Sequence, residues 1–355
     1  MSDPRRATLV GTGLIGGSIG LALRRAGWAV MGTDRDPDRA EAAVAHGALD
    51  SVGEDATSDL TIVATPVGSV AAEARRLLDA GHRVVTDVGS VKAPLVAAVD
   101  HPGFVGGHPM AGSEQEGIAA ATADLFDGAT WVLTPTATTD DQAYATVRAA
   151  IVELGAEVVA LDPARHDALV AEVSHVPHLT AATLMRLADD TAEEHRALLR
   201  LAAGGFRDMT RVAAGHPGIW PDICVENQAA IVDVLDRLIT GLSEVRQVVA
   251  DQDRAQLMSL LEQARSARTN LPARFGRPSE LGELRVIIPD RPGALADVTT
   301  LATEIDVNIA NMEIAHFSEG DRGVLILIVE AEELGRLHDA LVERGFVVSH
   351  QQVLE

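Results

Sequence analysis

The chain contains little cysteine and few positively charged residues, and both features narrow the classes of protein to which it can belong. It has 355 residues but one cysteine, Cys224, which excludes an internal disulfide framework and a cysteine-based zinc site. Lysine and arginine together number 29 against 52 aspartate and glutamate residues, so the formal net charge is −23. Because like charges repel, neither nucleic acid nor an anionic membrane is expected to be its main partner.

The sequence also lacks a long apolar run. It has no stretch of about 18 consecutive apolar residues and no basic segment followed by an apolar leader. We therefore expect an untargeted, cytoplasmic protein that does not associate with membranes. With 47% hydrophobic residues, the chain is long enough to form two or three domains.

A glycine-rich segment near the start predicts a dinucleotide-binding loop. Residues 7–10 form an apolar run typical of a strand, and residues 17–25 favour a helix. Between them lie Gly11, Thr12, Gly13, Leu14, Ile15 and Gly16, which have the GxGxxG spacing. The first glycine permits a tight turn, the second admits a pyrophosphate, and the third lets helix pack on strand. The helix N-terminus adds free N–H groups for the phosphates.

An acidic residue at the end of the next predicted strand bears on the choice of cofactor. Residues 28–33 are strand-like and are followed by Asp34. A carboxylate there can accept hydrogen bonds from an adenosine ribose and would repel a 2′-phosphate, which favours NAD over NADP. Arg35 follows directly and could accommodate that phosphate, so NADP stays open as an alternative.

Residues 1–170 alternate strand-like and helical stretches, which predicts a doubly wound, mainly parallel sheet of the Rossmann type. Ligands of such sheets lie beyond the carboxyl ends of the strands. Several polar segments should meet there because each follows a predicted strand. They are Thr65 with Pro66, the segment from Asp87 to Ser90, and His108 with Pro109.

The rest of the chain predicts two further domains. Residues 171–275 look helical, and one stripe has apolar residues at spacings of 4, 3, 4, 3 and 4, which is typical of a core helix or of a helix packed on a second subunit. The stripe comprises Ile231, Leu235, Leu238, Leu242, Val245 and Val249. Residues 272–282 resemble a linker, and residues 283–355 predict a ferredoxin-like βαββαβ unit.

His108 has the chemistry that an alcohol oxidation needs. A neutral imidazole can take a proton near pH 7 while a bound nicotinamide takes a hydride. The only lysine of the chain, Lys92, lies in the preceding segment, where its presence is suggestive but equally consistent with chance. We expect no metal to be required.

The motifs, in this order, resemble those of the prephenate and arogenate dehydrogenases of tyrosine biosynthesis, over about residues 5–270. The matching segments are residues 11–18, Asp87-Val88-Gly89-Ser90-Val91-Lys92, Gly107-His108-Pro109-Met110-Ala111-Gly112, Ser174-His175-Val176-Pro177-His178, residues 205–211 and Trp220. Asp290-Arg291-Pro292-Gly293-Ala294-Leu295 with Asn308-Ile309 resembles an ACT domain, a small amino-acid-sensing module.

The resemblance implies oxidative decarboxylation of prephenate to 4-hydroxyphenylpyruvate with NAD+, and it implies a role for each matched residue. His108 would be the base and Ser90 would bond the same substrate hydroxyl or orient the imidazole. Arg211 would bind a substrate carboxylate, with Asp208 as its partner on one helical face. The other implied substrate-site residues are His178, Ser113, Glu114 and Trp220. Trp220 would close the site from a neighbouring subunit or serve as a dimer-core aromatic, and His175 would pack beside His178.

The ACT-like segment implies control by the end product. Gly293 would let the backbone approach L-tyrosine and Asn308 would bond its polar groups, although the module could instead only stabilise a homodimer. Two other functions remain open from the residues: a β-hydroxyacid dehydrogenase, whose catalytic lysine the helical region lacks, and a non-catalytic sensor of NAD and an amino acid. No residue assigns prephenate over arogenate.

Overall fold

The computed structural model describes residues 4–112, 115–194, 198–215, 217–270, 281–289, 291–316 and 322–352. The chain divides into two compact units, Met1–Glu244 and Val245–Glu355. Among the helices of these described ranges, none is long and apolar enough to cross a membrane.

The first unit is built on a mainly parallel sheet. Its strands are β1 (Arg6–Val10), β2 (Ala29–Thr33), β3 (Ser51–Val52), β4 (Leu60–Val63), β5 (Val85–Asp87), β6 (Phe104–Pro109), β7 (Thr130–Thr134) and β8 (Glu157–Ala160). The intervening helices are α1 (Leu14–Arg25), α2 (Pro37–Ala45), α3 (Val67–Asp79), α4 (Ala93–Val99) and α5 (Asp141–Glu153). The predicted Rossmann-type sheet is confirmed.

The strand order β3-β2-β1-β4-β5-β6-β7-β8 places the glycine loop at the point where the order reverses. The chain leaves β1 toward β2 on one side and returns to β4 on the other, so a crevice opens beyond the carboxyl ends of β1 and β4. All pairs are parallel except β6 with β7. The strands β4 and β5 are buried throughout, as expected for a sheet covered by helices on both faces.

Two sequence-based expectations about this sheet need correction. The strand predicted over residues 104–106 continues to Pro109, so His108 lies inside β6, paired with Val132 of β7, rather than just after a strand. Apolar periodicity missed this extension because two glycines and a proline weaken a strand pattern. The short edge strand β3 was also missed, since two exposed residues carry no alternation.

Further helices follow the sheet. They are α6 (Pro163–Val170), α7 (Val176–Glu194), α8 (Gly204–Thr210), α9 (Trp220–Glu226) and α10 (Gln228–Ala250). The last of them, α10, continues past Glu244 into the second unit. A π-helical turn, Ala171–His175, joins α6 to α7, and such turns are frequent at functional sites. The apolar stripe of α10 is divided: Ile231 is buried with Ile223 and Val176, whereas Leu242 is 57% exposed. The core-helix interpretation thus holds for the first half of the stripe.

The second unit contains α11 (Arg254–Thr269) and a small antiparallel sheet. The sheet comprises β9 (Leu281–Pro289), β10 (Ile309–His316), β11 (Arg322–Glu330) and β12 (Val347–Gln352), in the order β10-β11-β9-β12. The helices α12 (Ala294–Glu304) and α13 (Ala331–Glu343) pack on it around Leu284, Val298 and Leu337. The predicted βαββαβ order is confirmed, while residues 271–280 of the predicted linker lie outside the described residues.

Candidate active site

The glycine loop has the geometry that close approach of a ligand requires. Gly11 has φ +97°, and a Cβ on it would lie 2.5 Å from the carbonyl oxygen of Ala64. A Cβ on Gly16 would lie 2.0 Å from the Gly11 carbonyl oxygen, so the start of α1 packs directly on the loop. Gly13, by contrast, faces open space and precedes a helix N-terminus with no side-chain cap. The loop therefore presents uncovered N–H groups to an anion.

Asp34 is fixed at the end of β2 by this loop. Its Oδ2 accepts hydrogen bonds from the Thr12 N–H at 2.9 Å and the Thr12 hydroxyl at 3.1 Å, and its Oδ1 accepts one from the Asp36 N–H at 3.0 Å. Partial burial alone would raise the pKa of Asp34, but these hydrogen bonds outweigh it and lower the pKa. Asp34 is thus a carboxylate at neutral pH, half-buried and able to accept from a ribose hydroxyl.

Thr65 lies beside the loop, and Pro66 follows it as the N-cap of α3. Thr65 follows β4, and its backbone N is 3.1 Å from where a Gly11 Cβ would be. The Thr65 hydroxyl oxygen is buried without a hydrogen-bond partner among the described residues. A buried hydroxyl normally has a partner, so this one has an unmet hydrogen bond at the carboxyl edge of the sheet. Leu14 and Ile15, half-buried at the start of α1, complete the predicted cofactor residues.

One buried carboxylate ties together the segments that carry Ser90 and His108. Asp87, at the end of β5, accepts hydrogen bonds from the Gly89 N–H at 2.7 Å and from the Gly107 N–H at 3.0 Å. It also forms an ion pair with Lys92, and both side chains are 0% exposed. Since Gly89 precedes Ser90 and Gly107 precedes His108, Asp87 fixes the backbone immediately before each.

Gly107 must be glycine for this arrangement. A Cβ at that position would lie 2.6 Å from the Asp87 carbonyl oxygen, closer than any side chain allows. The glycine next to the histidine therefore results from close packing of β6 on β5. His108 is therefore the first residue with a side chain after the Gly107 N–H that Asp87 binds.

His108 is a neutral, buried histidine. It is 9% exposed, and its Nδ1 lies 2.9 Å from Nε2 of His166. Burial, helped by the nearby His166, Lys92 and His175, holds the pKa of His108 well below 6.5. The ring can therefore act as a base at neutral pH, with Nε2 as the nitrogen that His166 does not engage.

A second layer of polar side chains supports this histidine. His166 Nδ1 lies 2.8 Å from Oδ1 of Asp167, and the Asp167 carbonyl oxygen accepts a hydrogen bond from the Asn227 side-chain N–H at 2.9 Å. Asn227 also lies 3.2 Å from Nδ1 of His175. His166, Asp167 and Asn227 were missed at the sequence level; the one signal was their polar type in a helical region otherwise patterned for a core.

His175, His178 and Trp220 form a cluster at the π-helical turn. The rings of His178 and Trp220 stack with centroids 3.7 Å apart and planes at 16°. His175 meets Trp220 edge-on with centroids 6.1 Å apart, and burial lowers its pKa to about 4. Burial also lowers the pKa of His178, so both histidines are neutral near pH 7. Trp220 thus packs on histidines of its own chain.

Arg211 begins a short 3₁₀ turn, Arg211–Ala214, directly after α8, and it is exposed. This turn packs on α7, and a Cβ on Gly215, which ends it, would lie 3.8 Å from Cε1 of His178. Arg211 and His178 are thereby placed on adjoining segments. Ser113 and Glu114, also predicted for the substrate site, lie outside the described residues.

A glycine loop at a topological switch point, with a neutral buried histidine in a strand of the same sheet, is typical of one class of protein: the nicotinamide-dependent dehydrogenases with a Rossmann-type domain. Comparisons with known proteins identify the family. A family model described as prephenate dehydrogenase, nucleotide-binding domain, matches residues 19–160, and one described as prephenate dehydrogenase, dimerization domain, matches residues 162–263. The chain belongs to the prephenate dehydrogenase family.

Individual relatives agree with this assignment. The prephenate dehydrogenase of Bacillus subtilis is 34% identical over 341 residues, 92% of each chain. A crystal structure of the Aquifex aeolicus prephenate dehydrogenase with hydroxyphenyl propionate and NAD+ is similar, with 28% identity and a TM-score of 0.71, over 76% of this chain and 99% of that one. Synechocystis arogenate dehydrogenase has 32% identity and a TM-score of 0.65, over 74% and 98%.

The comparisons also decide between the functions left open by the sequence. The chain is an NAD-dependent dehydrogenase, so neither the β-hydroxyacid dehydrogenase nor the non-catalytic sensor is retained. The matched family models end at residue 263 and do not include the ACT-like segment. The ACT assignment therefore stays a prediction.

Proposed function

We propose that this chain oxidises and decarboxylates prephenate with NAD+, and that His108 is the base. The observation that carries the proposal is a neutral, buried imidazole whose Nδ1 is occupied by His166. Its backbone is tied through Asp87 to the segment of Ser90. These residues lie at the same edge of the sheet as the glycine loop.

The residues of the loop fit a dinucleotide. Gly13 faces open space, the N-terminus of α1 has no side-chain cap, and the Thr65 hydroxyl lacks a partner among the described residues. In this arrangement the α1 N–H groups would hold the pyrophosphate and Asp34 the ribose hydroxyls. When bound there, NAD+ would supply the acceptor for the hydride that leaves the carbinol carbon.

The proton then follows a short path through His108. As hydride leaves the carbinol carbon, Nε2 of His108 takes the hydroxyl proton and the carbon–oxygen bond gains double-bond character. The bond to the ring carboxylate then breaks, carbon dioxide leaves, and its electron pair makes the ring aromatic. His108 returns the proton to the phenol oxygen, so no net proton is released. Ser90 would hold the same oxygen during both transfers.

The carboxylates of the substrate need donors in so acidic a protein. Arg211 can bind one carboxylate with two parallel hydrogen bonds. His178 can donate one further N–H because it is neutral, and its stacking on Trp220 fixes the ring plane. We assign these three residues, with Ser113 and Glu114, to the substrate side of the site.

The reaction is tested by following NADH formation with purified protein. Prephenate and NAD+ should yield NADH together with equimolar 4-hydroxyphenylpyruvate and carbon dioxide. Arogenate is the second candidate substrate, favoured by the similarity to the Synechocystis arogenate dehydrogenase. The kcat/KM for arogenate is compared with the kcat/KM for prephenate under the same conditions. If neither prephenate nor arogenate leads to NADH formation, the proposal is refuted.

For the second unit we propose an ACT domain that binds L-tyrosine and inhibits. The βαββαβ order supports it, as does Gly293, the N-cap of α12, which has φ +89° and leaves the start of this helix without a side-chain cap. Asn308 is exposed at the head of β10 and could bond the amino-acid group. Asn308→Ala should weaken tyrosine inhibition without changing KM for prephenate. If tyrosine inhibits Asn308→Ala as strongly as the unmodified protein, and competitively with prephenate, tyrosine binds at the active site instead.

We also propose a homodimer formed through the helical region. Val232, Ile239 and Leu242 of α10 are each about half exposed in the single chain. A groove of about 470 Å³ with apolar walls runs between α7 and α10 and would receive side chains of the second copy. Ile239→Asp should shift the sedimentation coefficient from dimer to monomer. If the variant remains a dimer, α10 is not part of the dimer interface.

A cytoplasmic location remains a prediction from the sequence.

A further inference from the structure

A line of buried polar side chains runs away from His108 into the protein. His108 is followed by His166, with 2.9 Å between their nitrogens, and His166 by Asp167, with 2.8 Å between Nδ1 and Oδ1. His166 is 0% exposed and Asp167 is 5% exposed. The reaction itself uses only His108, so the other two polar groups are buried without a role in the chemistry as described.

The acidic end of this line can only accept hydrogen bonds. Oδ1 of Asp167 accepts from the Lys92 N–H at 2.7 Å, and Oδ2 accepts from the Ala93 N–H at 2.8 Å. Backbone N–H groups are donors alone, so both oxygens of Asp167 act as acceptors. His166 must therefore carry its hydrogen on Nδ1 and donate it to Asp167.

The direction of the next hydrogen bond follows. A neutral imidazole with hydrogen on Nδ1 has a lone pair on Nε2, so His166 accepts there. The donor is then His108 Nδ1–H, which leaves the lone pair of His108 on Nε2. The bond made by one ring nitrogen decides which tautomer a histidine adopts, and here it selects the tautomer that can take a proton from a substrate.

We propose that His166, oriented by Asp167, is a positioning residue that fixes His108 in its Nδ1–H tautomer and so keeps Nε2 free to act as the base. This inference rests on the proposed function of His108. The same contacts serve the protonated state, because the imidazolium of His108 still donates its Nδ1–H to His166. The negative charge of Asp167 then lies at the far end of the line.

Paired substitutions separate this role from simple packing. His166→Gln keeps an acceptor near the position of Nε2, whereas His166→Leu fills the space without one. The leucine variant should lower kcat about 10- to 100-fold, the range found when the partners that orient metal-binding histidines are removed, with little change in KM for prephenate. The glutamine variant should retain most of the activity.

A matched control is the replacement of another buried histidine. His82 is 3% exposed and bonds the Thr61 hydroxyl at 2.7 Å, but it lies before β5, at the end of that strand opposite Asp87. His82→Leu should leave kcat unchanged. Equal losses in kcat for the leucine and glutamine variants at position 166 would overturn the proposal, since an acceptor would then make no difference.

The tautomer can be read without turnover. In the full-length protein labelled with ¹⁵N-histidine, the ring nitrogen shifts distinguish Nδ1–H from Nε2–H, and comparison with His108→Asn assigns the signals. We expect Nδ1–H at His108 in the unmodified protein and in His166→Gln, and a shift toward Nε2–H in His166→Leu. Nε2–H in the unmodified protein would overturn the inference. Because this result needs no activity, its failure is distinct from failure of the proposed function, which the turnover of His108→Asn tests.

Discussion

Replacing Lys92 by methionine should destabilise the first unit strongly. Lys92 and Asp87 form an ion pair in which both side chains are 0% exposed. Removing one partner leaves the other charge buried, which costs about 3–5 kcal/mol in measured cases. Asp87 would keep its hydrogen bonds from Gly89 and Gly107, so we expect the lower part of that range. That loss is a large share of the roughly 5–15 kcal/mol by which a typical protein is stable.

Urea unfolding followed by tryptophan fluorescence measures the free energy of unfolding of the first unit. The three tryptophans, Trp28, Trp131 and Trp220, all lie in the first unit, so their signal reports its unfolding alone.

Two variants serve as controls for this measurement. Arg24→Met removes a half-exposed pair with Asp50, which is worth at most about 1 kcal/mol. Lys92→Met combined with Asp87→Asn removes both charges and should recover part of the stability. A Lys92→Met protein no less stable than Arg24→Met would refute the reasoning.

Three further predictions concern the site. Arg211→Ala should raise KM for prephenate roughly ten- to a hundredfold, since a charge-assisted hydrogen bond is worth about 1.5–3 kcal/mol, and an unchanged KM would remove Arg211 from the substrate site. Asp34→Ser should narrow the ratio of kcat/KM for NAD over NADP by relieving repulsion of a 2′-phosphate; equal efficiency with both cofactors in the unmodified enzyme would contradict this. The acid limb of kcat/KM should lie below pH 6.5, because the pKa of His108 is lowered and the base is lost only as pH falls through it. An acid limb at or above pH 6.5 would contradict that assignment.

Local pattern was enough to predict the sheet and the glycine loop. The strand, loop and helix around Gly11, Gly13 and Gly16 follow from steric requirements that act within a few residues. The βαββαβ order of the second unit was predictable for the same reason, because alternation and turn residues mark each element. The strand errors fell where the apolar pattern is weak, either because glycine and proline replace it, as in β6, or because the strand is only two exposed residues long, as in β3.

The support of the active site could not be predicted in this way. His166 reaches His108 from a helix, 58 residues further along the chain, and no local spacing encodes that contact. The role of Asp87 likewise depends on the Gly107 N–H, which the pairing of β5 with β6 brings to the carboxylate. Lys92 drew attention only as the one lysine, and its burial with Asp87 appears in the tertiary structure alone.

The measurement that tests the account most directly is the turnover of His108→Asn with prephenate and NAD+. The asparagine can still donate to His166 but cannot take the hydroxyl proton. We expect kcat to fall about 10²- to 10⁴-fold, as loss of a general base does, while the affinity for NAD+ measured by calorimetry stays unchanged. Near-normal turnover across the neutral pH range would contradict the assignment of His108 as the base.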